Sequence, residues 1–172
     1  MADIAGFLAR RRVALGGLAV LVTLVFARPT WTRLAIGFAV ACAGEALRVW
    51  AAGHLEKNRE VTTSGPYRWM KHPLYNGSGI IAIGVMIAAD NFFVSLLVLT
   101  YIMTTVPAAI WTEERHLRST FGDLYDRYAR DETPRVARHF SLERAMRNKE
   151  YRAVAGVALG FALLALKVRL LL

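Results

Sequence analysis

Five apolar segments, set apart by charge or proline, run through the chain at residues 13–27, 34–52, 76–89, 92–111 and 154–172. Their length and composition predict transmembrane helices. The first lies between Arg10-Arg11-Arg12 and Arg28 and extends back into Phe7-Leu8-Ala9. It resembles a signal peptide, but Ala27-Arg28-Pro29 is a poor cleavage site and further spans follow, so it reads as a retained span. Asp90-Asn91 leaves room only for a tight turn, which makes the third and fourth segments an antiparallel hairpin. Pro107 predicts a kink in the fourth. Beyond it, residues 113–130 read as a charged amphipathic helix, with Leu117, Phe121, Leu124, Tyr125 and Tyr128 at helical spacing. Thr133-Pro134 ends that helix, and Ser141 caps a second polar helix reaching about Arg152. The expected fold is all-α: a polytopic membrane protein with about five transmembrane helices, forming one domain over residues 1–172.

Composition agrees with the pattern. Of 172 residues, 55% are hydrophobic, and the net charge is +9. That charge suits anionic lipid surfaces. The basic residues flank apolar spans instead of forming one soluble face, which argues against nucleic acid as a partner. All but Arg28, Arg33, Lys167 and Arg169 of the 22 Lys and Arg fall on one side: the amino terminus, the second-to-third connection (with Arg48) and the fourth-to-fifth connection. The positive-inside rule puts that side in the cytoplasm. Arginine greatly exceeds lysine, which points to a GC-rich prokaryotic genome and the bacterial inner membrane; a eukaryotic chain of this kind would sit in the endoplasmic reticulum. Cys42 is the only cysteine, excludes an intrachain disulfide, and reads as a small buried hydrophobe.

The candidate chemistry gathers in Ser64-Gly65-Pro66-Tyr67-Arg68-Trp69-Met70-Lys71-His72-Pro73-Leu74-Tyr75-Asn76-Gly77. Pro66 and Pro73 fix φ and push Gly65 and His72 away from helical geometry. A stiff, non-helical platform carrying Tyr67, Arg68, Lys71, His72 and Tyr75 follows. It suits a polar, partly anionic small molecule, or equally lipid headgroups. Because of the hairpin, Glu113-Glu114 at the end of the fourth span reaches the same membrane face. A zwitterionic ligand would satisfy both halves, and the carboxylates could also take ribose hydroxyls. Glu45 and Arg48 share one helical face and read as a structural ion pair, with a substrate role as the alternative. Glu113-Glu114-Arg115-His116 lacks the His-Glu-x-x-His arrangement, so no metal is expected. His116 and His139 read as solvated, and Trp50, Trp69 and Trp111 as interfacial anchors. Gly77, Gly79 and Gly84 allow close approach of a helix or ligand.

Gly65-Pro66-Tyr67, Lys71-His72-Pro73-Leu74-Tyr75 and Gly77, then Glu113-Glu114-Arg115-His116-Leu117 and Phe121-Gly122-Asp123-Leu124-Tyr125-Asp126-Arg127-Tyr128, closing on Thr133-Pro134-Arg135, resemble the integral-membrane methyltransferases. That group contains isoprenylcysteine carboxyl methyltransferases and phospholipid N-methyltransferases. The resemblance covers residues 48–135 and implies S-adenosylmethionine as cofactor at the cytoplasmic face, with a tunnel admitting a lipophilic acceptor from the bilayer. It implies cofactor contacts from Val61, Thr62, Tyr67, His72, Pro73, Leu74 and Tyr75, with Glu113 closing the site and Glu114 supporting it. His72 would take the cofactor carboxylate, with Lys71 or Arg68 adding positive potential. Lys71 stands where the family often has Arg, and loses the bidentate fork. Ala109 stands where the eukaryotic isoprenylcysteine enzymes carry a substrate-facing Arg.

Methyl transfer from a sulfonium is an in-line displacement at carbon, favoured by positioning. A carboxylate acceptor is already ionised and needs no base. An amine must lose a proton, and Glu114, Tyr75 or His116 are then candidates. An isoprenylcysteine-type carboxylate is the first choice of acceptor, a phospholipid amine the alternative, and a non-catalytic scaffold of the same fold a third reading.

Overall fold

The computed structural model describes the backbone of residues 2–171 and the side chains of Arg11 and residues 14–170. Among the described residues all regular structure is helical: α1 (Ala2–Phe26), α2 (Trp31–Ala52), a 3₁₀ turn (Gly65–Arg68), α3 (Pro73–Ala89), α4 (Phe92–Phe121), α5 (Asp123–Ala129), α6 (Leu142–Arg147) and α7 (Tyr151–Leu171). Helices α2, α4 and α7 are long and apolar enough to cross a membrane, and two shorter apolar helices, Ala14–Phe26 within α1 and α3 itself, accompany them. This is the architecture of a polytopic membrane protein. Its large apolar side chains point outward, as at Leu21, Phe92, Leu96, Met103, Leu159 and Leu166, while alanines dominate the interior. A bilayer, not a protein core, is the solvent such a surface requires.

The tightest packing joins α2 to α3. A Cβ on Gly37 would collide with the Gly84 carbonyl, and one on Gly44 would lie 2.7 Å from the Gly77 carbonyl. Small residues let the two backbones touch, as membrane helices without a hydrophobic drive between them require. Gly79 meets nothing within 4 Å and has no part in this contact. Asp90, at φ 44°, turns the chain, and Asn91 caps α4 by accepting from Val94 N at 3.1 Å. The α3–α4 hairpin is therefore as expected. On the face away from Glu113, Lys167 Nζ donates to Leu24 O and Val25 O, each at 2.7 Å. This satisfies carbonyls at the α1 end that have no helical partner.

Four expectations need correction. The charged helix over 113–130 is not one helix. Its first half continues α4 to Phe121, and Gly122, at φ 54° and ψ −128°, breaks the chain before α5. The apolar stripe is broken with it: Tyr125 is buried, while Leu124 is 47% exposed. The second polar helix stops at Arg147, because Lys149 adopts a φ of 62°, and Arg152 belongs to α7. The platform is not wholly non-helical, since Gly65–Arg68 forms one 3₁₀ turn. Cys42 is exposed on the outer face of α2 instead of buried.

Candidate active site

The platform is rigid for reasons visible residue by residue. Gly65 holds φ 57° ahead of Pro66, and a Cβ there would collide with the His54 imidazole. His54 is itself buried and shares a 3.2 Å hydrogen bond with Ser64 Oγ. Burial foremost, then the Arg144 and Arg138 guanidiniums and His139, push its pKa below the ordinary range. His72, at φ −130° and ψ 58°, stands outside helical geometry, and Pro73 opens α3 behind it.

Gly122 then brings α5 back over this platform. Tyr128 Oη donates to the Tyr67 carbonyl at 3.2 Å. The phenols here are hard to ionise. Burial first, then Asp131, pushes Tyr128 up to about 12, and burial followed by the Glu113 carboxylate drives Tyr67 higher still. Both act as neutral hydroxyls at any physiological pH.

Between platform and α4 lies a cavity of about 760 Å³. Val61, Thr62, Tyr67, His72, Pro73, Leu74, Tyr75 and Glu113 all line it, so every residue expected to contact cofactor meets in one space. Lys71 and His116 line it too, whereas Arg68 is exposed elsewhere. Glu114 does not face the cavity. Its Oε1 accepts from His72 Nε2 at 3.1 Å, and its Oε2 pairs with Arg118 at 3.3 Å. Because a carboxylate can only accept, Nε2 carries the proton, and Nδ1 donates only when the ring is charged.

The outer wall is the linker after α2. Arg138 grips Glu60 with two bonds, at 2.6 and 2.9 Å. Arg144 Nε and Arg147 Nη2 converge on Glu56 at 2.7 and 3.0 Å. Asn148 Nδ2 donates to Ala52 O and Leu55 O at 2.9 and 2.8 Å.

The inner wall holds a group the sequence reading underestimated. Arg48 Nη1 donates to Ser78 Oγ at 2.6 Å and to Leu74 O at 3.2 Å, while its Nη2 pairs with Glu150 at 2.7 Å. The expected Glu45 contact is looser, at 3.7 Å, and both Glu45 oxygens are buried without a hydrogen-bond partner. One guanidinium therefore answers two buried carboxylates. Arg48 and Glu150 both line the cavity. Glu150 could not be found from sequence, because no motif or helical period links it to residues about a hundred positions earlier. Tyr101, Thr105, Ala109 and Thr112 also line the cavity, and their three- and four-residue spacing on α4 was a usable signal. Among the described residues no group of three or more His, Cys, Asp or Glu is placed to hold a metal ion.

Fold and site together define a helical membrane protein with a polar-mouthed cavity set between a rigid loop and a long helix. The chain belongs to the phospholipid methyltransferase family, whose family model matches residues 12–124. It is 32% identical over 155 residues to the cobalt-zinc-cadmium resistance protein CzcN of Cupriavidus metallidurans, covering 80% of this chain and 68% of that one. It is 33% identical over 90 residues to the protein-S-isoprenylcysteine O-methyltransferase of Schizosaccharomyces pombe, covering 52% of this chain and 38% of that one. A probable protein-S-isoprenylcysteine O-methyltransferase of Oryza sativa subsp. indica is 30% identical over 111 residues, 58% of each chain. The chain thus spans well under two thirds of either isoprenylcysteine enzyme. No solved structure matches it.

Proposed function

We propose that the protein transfers a methyl group from S-adenosylmethionine to a lipophilic acceptor, at a site on the cytoplasmic face of a membrane it crosses several times. The observation that carries this reading is the meeting of all eight expected cofactor contacts in one cavity, whose α4 wall continues down to Tyr101. The residues present fit the cofactor. Glu113 on one wall suits an ammonium or ribose hydroxyls; Lys71 and His72 on the other suit a carboxylate; Val61, Pro73 and Leu74 offer apolar surface to a base. The volume falls in the range of small-ligand sites. The cofactor supplies an electrophilic methyl on a sulfonium. The chain's own part is to hold the acceptor in line and keep water out.

The acceptor of first choice is a carboxylate of isoprenylcysteine type, supported by the names of the yeast and rice relatives. A phospholipid amine is the second reading, and one observation favours it. Among the described residues Arg48 is the one guanidinium lining the cavity, and Glu150 already engages it. An amine acceptor needs a base; Tyr75 lines the cavity, whereas Glu114 acts there only through His72.

Calorimetry with S-adenosylhomocysteine tests the cofactor, and binding in the micromolar range is expected. Methyl-deuterated S-adenosylmethionine offered to membranes with N-acetyl-S-farnesylcysteine tests the acceptor. Label in the prenylcysteine supports the first choice, and label only in phosphatidylethanolamine derivatives replaces it with the second. No binding and no label would leave a non-catalytic scaffold.

A further inference from the structure

Below its polar mouth the cavity continues as a chute along α4. From Ala109 the wall descends past Val106 and Ile102 to Tyr101, and no lining residue of α4 lies further along among those described. On α3 the described lining stops at Ser78. At roughly 1.5 Å per residue, Ala109 to Tyr101 spans about 12 Å, the extended length of roughly ten carbons. The α4 side of the chute is apolar in effect, while Arg48, Ser78 and Glu150 line the cavity from α2, α3 and the residue before α7. Thr105 Oγ1 donates back to the Tyr101 carbonyl at 2.6 Å, so its hydroxyl is already occupied.

Tyr101 is braced from behind. A Cβ on Gly16 of α1 would lie 2.8 Å from the Tyr101 hydroxyl oxygen and 3.4 Å from Cζ. The end of the phenol ring therefore rests on the α1 backbone, in a place that only glycine leaves open. We propose that Tyr101, seated against Gly16, is the floor of the acceptor chute and sets the longest apolar tail the site admits. This rests on the methyl-transfer reading for the identity of the tail as part of an acceptor, but the floor itself can be tested by binding alone.

The test uses the full chain in nanodiscs and two probe series, N-acetyl-S-(n-alkyl)cysteines and lysophosphatidylethanolamines, with tails of increasing length. While the tail fills the chute, each added methylene should tighten binding roughly fourfold. Past the floor, near ten carbons, the gain should stop. Tyr101→Ala should move that break to longer tails. Gly16→Ala, which adds only a methyl behind the ring, should move it to shorter ones while leaving S-adenosylhomocysteine affinity within about twofold. Thermal unfolding identifies a variant that has lost its fold, and Tyr101→Leu then serves in place of Tyr101→Ala. An uninterrupted gain through eighteen carbons, a break that neither substitution moves, or no binding by either series would overturn the proposal. If the break moves as expected but S-adenosylhomocysteine does not bind, the floor stands and the methyl-transfer reading falls.

Discussion

His72 shows how much a single contact decides. Its Nε2 is committed to Glu114, and Glu114 is steadied by Arg118, so the ring is oriented before any ligand arrives. Glu114→Gln keeps the shape but replaces an acceptor-only carboxylate, which fixes the Nε2–H orientation of the ring, with an amide that can also donate. The expected outcome is a KM for S-adenosylmethionine raised about tenfold, equivalent to ~1.4 kcal/mol, with kcat changed far less. Steady-state kinetics separates the two, and an equal fall in kcat would show that Glu114 acts on the reacting atoms. His54 makes a different prediction. Its folded pKa lies below the unfolded value, so its contribution to stability is complete above ~6.5 and is lost as pH falls through the lowered native value. Melting temperature should therefore drop as pH falls from 7 toward 5, and His54→Gln should flatten that slope.

Helices α2 and α3 meet through backbone, and this makes their glycines unequal. Gly84→Ala drives a methyl against the Gly37 carbonyl and should cost about 1–3 kcal/mol. Gly79→Ala enters open space and should be neutral or stabilising by up to ~1 kcal/mol. Tryptophan-monitored melts of the two variants check the contrast. The sequence distinguished neither glycine from the other, because which face of α3 meets α2 depends on the partner helix. The hairpin of α3 and α4 was legible, since Asp90-Asn91 permits nothing longer, and so were the two motifs that it brings together. The break at Gly122 was not, because the charged stripe after Glu113 keeps a helical period across it. Only the backbone at φ 54° and ψ −128° reveals that α5 turns back toward Tyr67.

At the scale of the whole molecule, Arg48 is where α2, α3 and the start of α7 are joined. Replacing it with Met leaves Glu45 and Glu150 buried without a counter-charge, a loss of about 3–5 kcal/mol. Arg48→Met combined with Glu150→Gln should recover part of that loss, and a double-mutant cycle on thermal unfolding measures how much. The linker over the cavity is held differently. Its anchors are the Arg138–Glu60, Arg144–Glu56 and Arg147–Glu56 pairs, with side chains on the water side of the structure and partly open to it. Such pairs weaken as the Debye length shrinks from about 8 Å at physiological strength to about 3 Å at 1 M salt, while carbonyl-to-glycine packing is untouched. The two halves of the molecule should therefore part company in concentrated sodium chloride. Release of S-adenosylhomocysteine should quicken, the helical bundle should melt where it did before, and the protein would behave as a vessel whose lid is fastened by electrolyte-sensitive clasps.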